Sequence, residues 1–200
     1  MNTPGPDRED ARDMQRLAAG IDAALNDLMA RHGTRLFQYL LRSLQNEDDA
    51  ADLAQEAFVR VYQNRARFDS SQKFTTWLYA IASNLVRDRY RWRSRHPQVS
   101  LDAEKDESDT SFKDHVAASE PGPDFRIENQ ERADAVRKAM AALPEDLRQP
   151  LILAVYQELP QAEIAAILKC SVKAVETRIY RAKRLLKAEL AELCGSQACR

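Results

Sequence analysis

Phe74, Trp77, Leu78, Ile81, Ala82 and Leu85 recur at the three- and four-residue spacing of a helix that buries one face. Leu36, Phe37, Leu40, Leu41 and Leu44 repeat that stripe upstream, followed by Ala54, Ala57, Phe58, Val61 and Tyr62. Val172, Val175, Ile179, Ala182, Leu186 and Leu190 carry it again near the C-terminus. Around these stripes the chain is rich in Ala, Leu, Arg and Glu, with few β-branched residues and five glycines in 200 residues. That composition favours helix throughout, and the expected fold is all-α. Helices are expected over residues 10–31, 34–44, 47–65, 73–93, 127–143, 145–156, 160–168 and 172–193, with a kink or break at Pro150.

Several classes of function are excluded by what the chain lacks. The scattered glycines assemble no phosphate-binding loop or dinucleotide fingerprint. No apolar run approaches the length of a membrane span. Residues 1–13 are polar and acidic, unlike a secretory or transit peptide. Three cysteines, an odd number, fit a reduced cytoplasmic protein better than a disulfide framework. His32, His96 and His115 lie far from one another and from the cysteines, so no metal site and no cofactor are expected.

A net charge of −1 conceals strong segregation. Residues 87–95 hold five arginines against one aspartate, net +4, and residues 173–187 hold six basic side chains against Glu176, net +5. Between them, residues 101–131 carry ten acids and three basic residues, net −7. This acidic stretch has little helical period, and it buries too little apolar surface to offset its ordering entropy. The expected organisation is therefore two small helical domains, 10–95 and 127–193, joined by a flexible acidic linker, 96–126, with a short tail, 194–200.

Three surfaces carry chemistry. Pro160 suits the start of a helix, Ser171 suits the N-cap of the next, and only Lys169, Cys170 and Ser171 separate the two. The outward face of the second helix then presents Lys173, Glu176, Thr177, Tyr180, Arg181, Arg184 and Lys187. That is how a helix-turn-helix places side chains in a major groove, although such turns favour Gly over Lys169. A plain helical hairpin with a solvated face is the alternative. The 73–93 helix carries a polar stripe of Lys73, Thr76, Ala80, Asn84, Arg87 and Arg91, ending in arginines interleaved with Tyr90 and Trp92. Phosphate neutralisers, stacking rings and an amide together suit single-stranded or melting DNA; a helix end frayed into solvent is the alternative. Asp48, Asp49, Asp52 and Glu56 have no nucleophile or histidine beside them, which argues against acid–base catalysis. With Leu53, Gln55, Phe58 and Val59 they form an acidic and apolar face for a protein partner, or else a solvated face beside a helix N-terminus.

The stretches NEDDAADLAQEAFVRVYQNRARFDSSQKFTTWLYAIASNLVRDRYR and LPEDLRQPLILAVYQELPQAEIAAILKCSVKAVETRIYRAKRLLK closely resemble bacterial RNA polymerase sigma factors of the extracytoplasmic-function (ECF) group. The resemblance covers about residues 15–95 and 130–190. It implies a non-enzymatic, cytoplasmic subunit that binds core RNA polymerase, directs it to promoter DNA and helps to melt the duplex. Asp49, Asp52, Leu53, Gln55, Glu56, Phe58 and Val59 then match the polymerase-docking surface. Lys73, Thr76, Trp77, Asn84, Arg87, Arg91 and Arg93 match the melting element, with Trp77 near the fork and Asn84 at a pocket for a flipped base. Ser171, Lys173, Glu176, Thr177, Tyr180, Arg181 and Arg184 fall at or beside the positions that read the upstream promoter element. The acidic linker is expected to thread toward the polymerase channels, and a cognate anti-sigma factor is an expected partner. Ala80, where relatives often carry Arg, and Lys169 depart from the family pattern. A stand-alone helix-turn-helix regulator and an adaptor that reads no DNA remain as alternatives. The aromatic and amide stripe weighs against the first, and Glu176 with Arg181 on a reading face weighs against the second.

Overall fold

The computed structural model describes residues 6–96 and 123–194, which form eight α-helices and one 3-10 turn with no strand. The first half contains α1 (Pro6–Ala18), α2 (Ala23–Leu44), α3 (Glu47–Gln63) and α4 (Phe74–Arg95). The second contains α5 (Pro123–Ala142), α6 (Glu145–Val155), α7 (Gln161–Leu168) and α8 (Val172–Cys194). The expected linker falls mostly outside the described residues. Helix α5 begins at Pro123, four residues ahead of the expected boundary at residue 127. Among the described residues, no helix is long and apolar enough to cross a membrane.

The main departure from expectation in the first half is the position of a helix break. The chain breaks at Gly20, not at Gly33. Gly20 takes φ of +90°, a conformation that side chains disfavour, and so ends α1. Gly33 sits inside α2, where Leu28 and Leu36 on either side are fully buried. Burial of both outweighs the cost of about 1 kcal/mol for a helical glycine. Helix α1 is then fastened to α2 by charge. Asp10 and Asp13 are almost wholly buried; Arg31 pairs with both, and Arg16 joins Asp13 at 2.9 Å. The His32 imidazole lies 2.9 Å from the Asp10 carboxylate.

In the second half, α6 runs unbroken through Pro150, which is itself buried. The ring removes only one backbone donor, and Leu151, Ile152 and Leu153 beside it anchor the helix in the core. Pro160 is the N-cap of α7 rather than its first helical residue.

Buried side chains from the two halves make one continuous core. Helix α6 packs on α2, and α7 packs on α4. The seam is polar. The buried Tyr39 hydroxyl donates to Gln149 Oε1 at 3.1 Å and lies 2.8 Å from Ser83 Oγ. Tyr79 donates to Gln157 Oε1 at 2.6 Å. Arg148 is buried, and its guanidinium turns to carbonyls: Ser43 O at 2.8 Å, Ala141 O at 2.5 Å and Leu143 O at 2.6 Å. It also donates to the Tyr90 hydroxyl at 2.5 Å. Ser43 lies in the last turn of α2, and Ala141 and Leu143 at the end of α5. One cation thus satisfies orphan carbonyls at two negative helix ends.

Candidate nucleic-acid interface

Helix α4 is placed by its apolar face: Phe74, Leu78, Ala82, Leu85 and Val86 are buried. Lys73 lies just before the helix as its N-cap in extended backbone, so the helix starts one residue later than expected. The Lys73 ammonium meets the Glu163 carboxylate of α7 at 2.7 Å, with Asp7 of α1 at 4.0 Å on another side. These carboxylates, Glu163 first, raise the lysine's pKa. Thr76 reaches the second oxygen of Glu163 at 3.4 Å. Trp77 is half-buried in an aromatic cluster, its ring centroid 5.2 Å from Phe68 and 6.3 Å from Phe74.

About two turns before the end of α4, Arg87 donates to Asn84 Oδ1 at 3.3 Å. Arg87 and Arg91 exert their field on Glu145 at the start of α6. Burial raises the Glu145 pKa, and the field of Arg87 and the hydrogen bond from Gln149 oppose the rise. Arg93 is committed within the chain: with Arg89 it pairs with Asp49 of α3. Of the two aromatic residues expected to stack on bases, Tyr90 is a seam residue, its hydroxyl donating to Ser43 O at 2.6 Å. Trp92 stays exposed and stacks on His96 at 5.0 Å.

Helix α3 begins with Asn46, whose side chain accepts from the Asp49 amide at 2.8 Å. Its expected partner face divides in two. Leu53 and Phe58 are buried in the core. Asp52, Gln55 and Val59 are exposed, and the half-buried Glu56 pairs with Arg60 at 2.8 Å. Asp49 is spent on Arg89 and Arg93. The outward surface is therefore Asp52, Gln55, Glu56 and Val59, with Leu53 and Phe58 beneath.

Helices α7 and α8 form the expected helix–turn–helix. Lys169 closes α7 in the left-handed region with φ of +51°, and Ser171 Oγ accepts from the Ala174 amide at 3.2 Å. Val175, Ile179 and Ala182 face the core, while Val172, expected beside them, is exposed because it stands at the first helical position. Lys173, Glu176, Thr177, Tyr180, Arg181 and Arg184 are all exposed. Within this face Lys173 and Glu176 are 3.6 Å apart, and Thr177 donates to Lys173 O at 2.9 Å. Among the described residues, no group of His, Cys, Asp or Glu is arranged to hold a metal.

The comparisons with known proteins follow this division. Residues 28–96 match Sigma-70 region 2 and residues 133–186 match Sigma-70 region 4. The ECF RNA polymerase sigma factor SigW of Bacillus subtilis is 33% identical over 181 residues, covering 90% of this chain and 96% of SigW. The chain belongs to the ECF sigma factors. The sigma factor CnrH of Cupriavidus metallidurans is 35% identical, over 86% of this chain and 90% of its own. A structure of CnrH with the cytosolic domain of CnrY matches with a TM-score of 0.66 and 29% identity, covering 92% of this chain and 98% of that one. In this sigma factor, α2 to α4 lie in region 2 and α6 to α8 in region 4, and α1 precedes both matches.

No motif or periodicity in the sequence marks the residues that bring the regions together: Arg148, Gln149, Gln157, Glu145 and Glu163. One signal was present. Arg148 and Gln149 interrupt a run of otherwise apolar residues from 147 to 155, where an uncompensated cation would be costly.

Proposed function

We propose that this sigma factor binds core RNA polymerase through the α3 surface, opens promoter DNA with α4 and reads the upstream promoter element with α8. The observation that carries the reading is the exposed face of α8, basic and set behind an N-capped turn. Phosphate contacts would fall to Lys173, Arg181 and Arg184. Base edges would fall to Glu176 and Thr177, where a carboxylate accepts from the cytosine amino group. On α4, Asn84 and the half-buried Trp77 take the displaced strand, while Lys73, Arg87 and Arg91 neutralise its phosphates. Asp52, Gln55, Glu56 and Val59 dock on the polymerase. The chain acts as a non-enzymatic subunit in the cytoplasm. Its likeness to CnrH, solved with the cytosolic domain of CnrY, supports a protein partner, which we assign as an anti-sigma factor.

Run-off transcription with purified core polymerase on a promoter library tests the reading. Added chain should produce discrete start sites that core polymerase alone does not. Asn84→Ala should lower open-complex formation in permanganate footprints while leaving assembly with polymerase intact. A pattern identical with and without the chain overturns the proposal.

A further inference from the structure

A cavity of about 290 Å³ opens where the end of α6 meets α2. It is lined by Thr34, Arg35, Gln38 and Arg42 of α2 and by Tyr156 and Gln157 just after α6. Its volume is at the small end of the range for ligand sites, which begins at about 300 Å³. Arg35 and Arg42 stand seven residues apart, close to two helical turns, so one face of α2 brings both guanidiniums to the cavity. No carboxylate lines it. None of the six residues belongs to the surfaces assigned to polymerase or to DNA.

The walls are fixed by contacts within the chain. Arg42 donates to Gln38 Oε1 at 2.7 Å and to Gln38 O at 3.3 Å, and its guanidinium carbon lies 4.3 Å from the centroid of the Tyr156 ring. Gln157 donates to Arg35 O at 3.5 Å while its Oε1 accepts from Tyr79. The negative end of α6 would oppose an anion, but its carbonyls are already engaged. Ile152 O accepts from the Tyr156 and Gln157 amides, and Leu153 O from the Leu159 amide. Planar guanidiniums match pairs of phosphate oxygens, which an ammonium meets only as a point charge. We infer that this cavity binds a small diphosphate-bearing anion, with Arg35 and Arg42 on the phosphate oxygens and the Thr34 hydroxyl beside them. Tyr156, 42% exposed, is a wall for any ring the ligand carries. Thr34 to Arg42 lie in region 2, and Tyr156 and Gln157 in region 4. A ligand that needs both walls therefore stabilises the chain with its two regions joined, by mass action.

Isothermal titration calorimetry of the full-length chain at constant ionic strength tests the site with inorganic pyrophosphate, a nucleoside diphosphate and the parent nucleoside. Both diphosphates should bind saturably, and the nucleoside should not. Arg35→Gln with Arg42→Gln should weaken binding at least about tenfold and abolish the rise in melting temperature that the ligand gives wild type. Arg42 also packs on Tyr156, so Arg35→Gln alone, a change to an exposed side chain, serves as a second variant. It should weaken binding about threefold or more. Lys183→Gln with Lys187→Gln removes the same charge from exposed positions of α8 and should change binding less than about twofold. Equal affinity for the two diphosphates makes the phosphates the whole of the recognised ligand. Tighter binding of the nucleotide, lost in Tyr156→Leu, places its ring on the tyrosine. No saturable binding to wild type, a nucleoside that binds as tightly as its diphosphate, or an equal loss in the two double variants overturns the site.

Discussion

Lys169 does the work that glycine performs in most turns of this type. Its φ of +51° places Cβ against the backbone, a conformation that costs an L-residue about 1 kcal/mol. Lys169→Gly should therefore stabilise the chain by about 0.5–1 kcal/mol in urea denaturation, after the entropy that glycine loses on folding. An unchanged or lower midpoint would show that the lysine is not strained. His32 makes a sharper prediction. Burial, aided by Arg31 and Arg35, pushes its pKa down to about 4. Asp10 is nearby, but Arg31 already pairs with that carboxylate, so the neutral imidazole donates to it from Nε2. The unfolded chain takes up a proton near pH 6.5 and the folded chain does so only near pH 4. The stability is complete above pH 6.5 and is lost as pH falls toward 4, by about 2 kcal/mol by pH 4.5–5. His32→Gln should flatten that part of the pH–stability curve.

At the scale of the helices, the periodic elements were legible and their partners were not. The stripe from Phe74 to Leu85 located the buried face of α4 because a helix repeats every three to four residues whatever it packs against. Ser171 marked the start of α8 for an equally local reason. The choice between Gly20 and Gly33 as the break was not local, since Leu28 and Leu36 decided it through tertiary burial. Phe58 belongs to the apolar stripe of α3 as well as to its expected partner face, and only packing against the other helices settles that it and Leu53 sit inward while Asp52 and Gln55 stay outside. The α3 surface that remains carries its own test. Asp52→Lys with Glu56→Lys should weaken core polymerase binding at least about tenfold while circular dichroism is preserved. Equal affinity in a titration would remove α3 from the docking surface. On α8, Glu176→Ala distinguishes a base contact from a pair with Lys173. A base contact predicts relaxed preference at one promoter position, worth about 1–3 kcal/mol. The ion pair predicts a small, uniform gain on every sequence in a library selection.

The relation between the two regions is a property of the whole molecule, and no periodicity encodes it. Arg148 shows why. Its guanidinium serves carbonyls of α2 and α5 together with the Tyr90 hydroxyl of α4, partners drawn from far apart in the sequence. Separating the regions costs Arg148 its bonds to Ser43 O and the Tyr90 hydroxyl, leaving the cation only Ala141 O and Leu143 O of its own region, so neither region keeps its full complement of bonds when the other melts. Two regions divided by a long acidic stretch would ordinarily unfold one after the other. Here the shared cation couples their melting. Differential scanning calorimetry of the free chain should give a single transition, its calorimetric and van't Hoff enthalpies in agreement. Arg148→Met should lower the melting temperature and split the trace into two peaks, one for each region released to unfold alone.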